Sequence, residues 1–309
     1  MELALFVEPQ MGGSYQRLVE LARWSEAQGL EAFARSDHYL NGSESAPATD
    51  ALTSFGGLAA ETESIQLVSL VSPLTFRHPG VLAKAAATLD EMSNGRFALG
   101  IGTGWMETEH EAFGIELPTI RERFSRLYEA LSYVSAAFSG SDGFSGRHYD
   151  LAAIDVLPRP VSVPIVVGGS GMKRTPALAG RFADEYNMFV GESDIVERRI
   201  EVMHKAAAGA DREPDEISVS VSGPAIVAPT EDAYRDLLAE RAAGRDMTTD
   251  EYESFLSDRN IPRGTLETVG EALDAYDALG VTRFYLQEYK SLDEIDTDEL
   301  APIFNALRR

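Results

Sequence analysis

MSNGRFALGIGTGWMETEHEAFG, from Met92 to Gly114, is the stretch on which the reading of this chain turns. Asn94-Gly95 is a turn pair, because both residues adopt positive φ at little cost. Phe97 to Ile101 is then an apolar run too short for a helix and right for a buried strand. Alternating glycines at 100, 102 and 104 lead to Trp105. They remove side chains where a strand emerges, so that backbone can lie against something flat or phosphorylated. A strand-to-helix turn that needs glycine only for steric room accounts for the same pattern. Met106 to Phe113 follows at helical spacing. The dinucleotide fingerprint is absent, because no strand-turn-helix unit carries a third glycine and a later acidic residue at the required places.

Working outward, short apolar runs alternate with helical patterns along the chain. Strands are expected at Leu3–Val7, Ala32–Ala34, Ile65–Val71, Phe97–Ile101, Pro164–Val167, Glu185–Phe189, Ile217–Val221 and Arg283–Leu286. Helices are expected at Tyr15–Gln28, Leu52–Glu61, Val81–Met92 with Pro79 at the first position, 105–114, 119–138, Lys173–Phe182, 193–208 and Glu267–Leu279. A Ser/Gly-rich loop falls at 139–147. Two charged helical segments near 229–262 read as an insertion within one domain spanning 1–309. Eight strands alternating with helices predict a (β/α)8 TIM barrel, an α/β fold with helical insertions at its C-terminal face. A doubly wound open sheet is the alternative.

The 309 residues include 27 basic and 50 acidic side chains, a formal charge of −23. That excess argues against nucleic acid, which is bound by neutralising phosphates with Lys and Arg. Only Lys84, Lys173, Lys205 and Lys290 are lysines. A dispersed acidic surface poor in lysine suits a salt-rich cytoplasm, where a Debye length of about 3 Å at 1 M screens self-repulsion. A halophile, and an archaeon, is the expected source; an ordinary acidic cytosolic protein is the alternative. No run of about 18 apolar residues suggests a membrane span. Met1 opens directly into a strand without a basic leader, so a cytoplasmic location is expected. The absence of cysteine excludes disulfides, thiolate metal sites and a cysteine nucleophile.

In a parallel barrel the C-terminal strand ends form the active face. Asp37-His38 after the second strand, Ser69 to Ser72 at the third, Gly102 to Glu109 after the fourth, Gly168 to Lys173 after the fifth and Asn187 on the sixth are therefore expected to converge. His38 is the candidate acid/base group, since an imidazole titrates near neutrality. Asp37 would orient or charge it, or cap the next turn. Gly168, Gly169, Ser170 and Gly171, leading into Lys173 and a helix, read as a phosphate cradle of free N–H groups beside a cation. Glu107 and His110 have i, i+3 spacing but no second such pair, so no metal site is expected. His78 reads as turn packing, and His148 and His204 as surface residues. Trp105 either stacks on a ring ligand or plugs the barrel mouth.

SDHY at 36–39, FRHPGVLAKAAATLDEMSNGRFALGIGTGW at 76–105, ETEHEAFG at 107–114, ERF at 122–124 and VPIVVGGSGMKRTPALAGRFADEYN at 163–187 together resemble the bacterial luciferase-like flavin/deazaflavin oxidoreductases. The branch using coenzyme F420, the deazaflavin relative of FMN, is the most similar. The motifs occur in the family's order over almost the entire chain, and thin out at 229–262. The resemblance implies a cofactor ring in the C-terminal mouth, against a non-proline cis peptide at Ser69-Leu70 or Leu70-Val71. It implies that Ser72 bonds the ring's edge, that Asp37 and His38 form the active pair, and that Gly168 to Lys173 hold the phosphate. Gly102, Thr103, Gly104 and Trp105 would line the ring site, with the polar ligand unassigned among Trp105 to Glu109. The implied function is hydride transfer between F420 and a small organic substrate, in a homodimer. The alternatives are an FMN-dependent monooxygenase, a non-catalytic flavin-binding relative, and a flavin-free barrel enzyme acting on a phosphosugar.

The dispersed acid excess leads to one direct expectation. Thermal midpoints measured from low to molar KCl rise as repulsion is screened; a flat or falling series contradicts the halophilic reading.

Overall fold

Along β1 (Glu2–Val7) the side chains alternate between two apolar surroundings, as a period of two requires. Leu3, Leu5 and Val7 join the large shell under the helices, while Ala4 and Phe6 join a small inner cluster. Seven further strands build the same sheet: β2 (Ala32–Arg35), β3 (Gln66–Ser69), β4 (Phe97–Gly102), β5 (Ile165–Gly168), β6 (Glu185–Phe189), β7 (Ser218–Gly223) and β8 (Arg283–Glu288). In this computed structural model, which describes residues 1–308 apart from 43, 141, 142 and 154, each strand pairs in parallel with its sequence neighbour. β8 returns to β1, with Leu3 opposite Phe284 and Leu5 opposite Leu286. The sheet closes, so the eight-stranded barrel is observed and the open sheet is excluded. Ser141 and Asp142, in the loop expected at 139–147, lie outside the described residues.

Ala32, Ala34, Val68, Ala98, Val166 and Tyr285 complete the inner cluster. Small residues on the early strands leave room for Phe6 and Tyr285 inside a narrow barrel. Below them Glu185 accepts hydrogen bonds from Ser220 Oγ at 2.6 Å, Tyr285 OH at 2.9 Å and Arg283 Nη1 at 2.9 Å. The N-terminal end of the barrel is thus filled by a hydrogen-bonded polar network.

Among the described residues eleven α-helices cover the barrel and its mouth: α1 (Tyr15–Ala27), α2 (Ala51–Glu61), α3 (Pro79–Ser93), α4 (Glu107–Phe113), α5 (Ile120–Ser139), α6 (Arg174–Phe182), α7 (Ser193–Ala208), α8 (Glu231–Ala243), α9 (Thr249–Ser257), α10 (Leu266–Asp277) and α11 (Thr297–Leu307). α3 begins with Pro79 and stops at Asn94, whose φ of 56° is followed by Gly95 at 81°. That is the turn chemistry expected of the Asn-Gly pair. α8 and α9 fall within the expected insertion and bury Tyr234, Leu238, Tyr252 and Leu256 in a cluster of their own. A parallel pair of short strands, Ile226–Ala228 and Arg263–Thr265, brackets them.

One strand is shorter than its apolar run implies. β3 leaves the ladder at Ser69 instead of continuing to Val71, and the chain rejoins β4 at Ser72 and Pro73. The Leu70-Val71 peptide between them is cis. Val71 explains the interruption, because its side chain lies over strand positions that have none. A Cβ on Gly100, Gly102 or Gly168 would stand 2.9, 2.8 or 2.8 Å from a Val71 methyl. Gly102 and Gly168 therefore make room for the chain's own valine, while Gly100 also admits the Ser69 carbonyl, 1.9 Å from where its Cβ would stand.

This packing generates a compensation test. Gly168→Ala costs about 1–3 kcal/mol by overpacking against Val71. In the Val71→Ala background the same change costs clearly less. Urea denaturation of the four proteins measures the coupling, and strict additivity contradicts the contact.

Candidate active site

The C-terminal strand ends surround a cavity of about 470 Å³. Phe6 and Glu8 reach it from β1, Ser36 and His38 from β2, Leu70 and Val71 from the bulge, and Gly102 to Trp105 from β4. Gly168 to Gly171, Thr175, Asn187, Phe189, Ser222 and Gln287 complete its wall from β5 round to β8. Most of the expected strand-end residues are thus brought together.

His38 is the one histidine among the described residues of this wall. Its Nδ1 stands 3.0 and 3.2 Å from the two carboxylate oxygens of Glu109. Tyr39 N–H donates to the same carboxylate at 3.2 Å. Glu109 lies on the first turn of α4 and is 1% exposed, so these partners take the place of water. A carboxylate only accepts, so the imidazole carries its hydrogen on Nδ1. Burial works to lower the His38 pKa, but the Glu109 bond and charge, with Glu8 and Asp37 behind them, outweigh it and hold the value above its ordinary level. Trp105 is 66% exposed and stands edge-on to the His38 ring at 5.6 Å, at the rim of the mouth.

Asp37 is placed otherwise than expected. It is 1% exposed and bonds Arg77, which in turn bonds Asp50 and Tyr39 OH. Beside it Arg35 is fully buried and donates to Ser36 O at 2.9 Å, Thr49 Oγ1 at 2.7 Å and Ser54 Oγ at 2.7 Å. Burial pulls the Arg35 pKa down to about 10, against the charges of Asp37, Asp50 and Glu8. Burial works to raise the Asp50 pKa, yet the Thr53 N–H and Arg77 hold it down to about 2. Asp37 therefore belongs to a buried charge network that fixes the chain after β2. The carboxylate brought to the imidazole is that of Glu109.

The glycine turn after β5 is built for close approach. Gly169 has a φ of 147°, and a Cβ on Gly171 would stand 2.8 Å from Thr175 Oγ1. Arg123, from α5, faces the same space; one guanidinium nitrogen bonds Gly104 O, while its buried Nε has no partner among the described residues. Lys173 is exposed at the start of α6 and does not line the cavity. The cation on the turn itself is Arg199, whose Nη2 donates to Ser170 O at 2.8 Å, while Arg123 faces the cavity from beside Gly104. The ERF triplet at 122–124 was the available signal, but nothing in its spacing says that its helix returns to the cavity.

Two serines of the third strand end also lie behind the wall. Ser69 Oγ accepts from Gly100 N–H at 2.9 Å, and Ser72 is fully buried with a hydroxyl that has no partner among the described residues. Asn187 Nδ2 donates to Ser220 Oγ at 2.9 Å, and its Oδ1 accepts from Ser222 at 3.2 Å. Glu8 accepts from the amides of Gln10 and Gln287, and Gln287 Oε1 is buried without a partner. His110 is no ligand candidate, since Thr75 Oγ1 and Met106 O each lie 2.7 Å from one of its nitrogens. His78 caps α3 by accepting from Gly80 N–H at 3.1 Å.

A larger chamber of about 960 Å³ adjoins the cavity, sharing Ser170, Phe189 and Gln287. Arg199, Arg241, Arg245, Arg259 and Lys290 line it, and α9 contributes Tyr252, Phe255 and Leu256. Among the described residues no helix is long and apolar enough to cross a membrane.

A family model for luciferase-like monooxygenases matches residues 1–283. The chain belongs to this family. An F420-dependent glucose-6-phosphate dehydrogenase of Microbacterium testaceum is 37% identical over 175 residues, which is 55% of this chain and 51% of that relative. The chain thus spans about half the length of such curated relatives. They come from bacteria and lend the archaeal, halophilic expectation no support. Among solved structures, an F420-dependent secondary alcohol dehydrogenase in complex with an F420-acetone adduct superposes with a TM-score of 0.82 at 18% identity, covering 100% of this chain and 99% of the other. The monooxygenase RslO1 of Streptomyces bottropensis superposes with a TM-score of 0.81 at 20% identity, covering 99% and 97%. At such identities the likeness is one of fold.

The Asp37 network generates a stability test. Asp37→Asn leaves buried cations short of a partner and costs about 3 kcal/mol, the lower end for breaking a buried pair. Denaturant unfolding measures it, and a change under about 0.5 kcal/mol, the scale of a surface substitution, contradicts the placement.

Proposed function

We propose that this protein is an F420-dependent oxidoreductase that moves a hydride between the deazaflavin ring and an anionic organic substrate held in the arginine-lined chamber. The observation that carries the reading is the His38–Glu109 pair facing a cavity that also holds the glycine turn after β5 and the Arg123 guanidinium, whose Nε has no partner among the described residues. The residues fit the cofactor: Leu70 and Val71 offer a flat apolar floor for the ring, and Ser170, Gly171, Thr175 and Arg123 offer donors for its phosphate, Gly169 N–H being bonded to Asn187 O. When bound, the deazaflavin supplies hydride acceptance or donation without oxygen activation.

The protein's part is to place a proton and to hold the substrate. In substrate oxidation, neutral Nε2 of His38 takes the hydroxyl proton as the hydride leaves carbon; in reduction, the imidazolium returns it. Glu109 keeps the hydrogen on Nδ1 and thereby fixes Nε2 as the exchanging atom. Arg199, Arg241, Arg245 and Arg259 suit a phosphate or carboxylate on the substrate, and the glucose 6-phosphate named for the curated relatives is one member of that class. A cytoplasmic homodimer remains the reading of location and assembly; exposed Val81 and Met92, at 60% and 50% on the outer face of α3, support pairing.

His38→Asn is expected to lower kcat by about 10²–10⁴-fold with little change in cofactor affinity. For substrate oxidation the rate rises with pH as His38 loses its proton, through a pKa above the ordinary value. Glu109→Gln removes the main raising influence, so this limb moves to lower pH. Steady-state pH profiles of both proteins test the assignment, and coincident limbs overturn it.

A further inference from the structure

Beyond Thr103 and Arg123, a second hollow of about 210 Å³ opens beside the main cavity. Arg77, Arg123, Arg126, His78 and Tyr149 line it, and no carboxylate stands among the residues of its wall. In a chain with 50 acidic and 27 basic side chains, an acid-free wall with three guanidinium groups calls for an anion.

The three are not equally free. Arg77 is neutralised by Asp37 and Asp50. Arg126 bonds Glu122 at 2.7 Å and lies 3.4 Å from Glu116, carboxylates that are 39% and 72% exposed. Such solvent-facing pairs are weak and readily exchanged. Arg123 has no ion pair among the described residues, and its buried Nε is unpartnered. The exposed ring of His78 stands edge-on to Tyr149 at 5.3 Å, on the outer wall.

Arg123 and Thr103 border both compartments, so a ligand whose phosphate meets Arg123 in the main cavity has a path into the hollow. FMN ends at its phosphate. F420 continues beyond it through a lactyl link into glutamate residues, each adding a carboxylate. We infer that the hollow seats the leading carboxylates of this acidic tail, with Arg123 between phosphate and tail and Arg126 as the outer contact. The larger chamber meets the main cavity at Ser170, Phe189 and Gln287, away from Arg123, and is the place given above to the substrate. This inference rests on the F420 reading above and deepens it, since the hollow gives the chain a means of preferring F420 to FMN.

Isothermal titration of the full-length protein with glutamate-bearing F420, with its glutamate-free form ending at the phosphate-linked lactate, and with FMN tests it. The wild type is expected to bind the glutamate-bearing form about tenfold more tightly than the glutamate-free form, the value of one good charge-assisted contact. Arg126→Ala loses that preference while its affinity for the glutamate-free form stays within about twofold, and Arg126→Lys restores part of it. Arg126 is a surface residue of α5, and an unchanged thermal midpoint shows that the variant is folded. Equal wild-type affinities for the two deazaflavin forms, or a preference that survives Arg126→Ala, overturn the tail site while leaving the F420 reading intact. Binding of FMN with no binding of either deazaflavin form overturns both.

Discussion

Val71, set into the space left by three glycines on two neighbouring strands, is the contact on which the mouth of this barrel depends. Its methyls fill positions where Gly100, Gly102 and Gly168 carry no side chain. Because the valine is seated there, β3 ends two residues early and the chain turns in across the barrel mouth. That places an apolar floor under the cavity, with the glycine turn after β5 and His38 in its wall. The same contact explains why glycine recurs along β4 and at the end of β5: the close approach required of those strands is to protein first.

Charge is distributed with equal economy. The surface is acidic, yet guanidinium groups gather at the mouth, in the large chamber and in the hollow beyond Arg123. Field lines in such low-dielectric clefts are focused, so a few cations there govern what enters despite the net charge. The acids that do reach the mouth have assigned partners. Glu109 meets His38, Asp37 meets Arg77, and Glu8 meets Gln10 and Gln287. A buried carboxylate so partnered steers its neighbour's proton or fixes a loop.

The barrel was legible in the sequence because it rests on local signals: apolar runs of strand length, helical periodicity, and the Pro79 and Asn94-Gly95 stops. The strand-end rule then brought His38, Thr103, Trp105, Gly169 and Asn187 to one place. Side-chain direction was not legible. Asp37 and His38 are adjacent, and adjacent residues at a strand end face opposite ways, so one enters the wall and the other the network behind it. Glu109 partners His38 from 71 residues away, and Arg123 enters the cavity wall from α5 by way of Gly104. Lys173 was the expected cation on its place after the glycine turn and on the family resemblance. Neither long-range pairing leaves a trace in spacing or composition.

The account's central claim is that the floor made by Val71, the His38–Glu109 pair and the glycine turn with Arg123 form one cofactor site. A crystal structure of the full-length protein grown with F420 tests it most directly. The account predicts the ring against Leu70 and Val71 with His38 at its edge, and the phosphate among Gly169 to Gly171, Thr175 and Arg123. A ring lodged in the arginine-lined chamber, or a phosphate on Lys173, contradicts it.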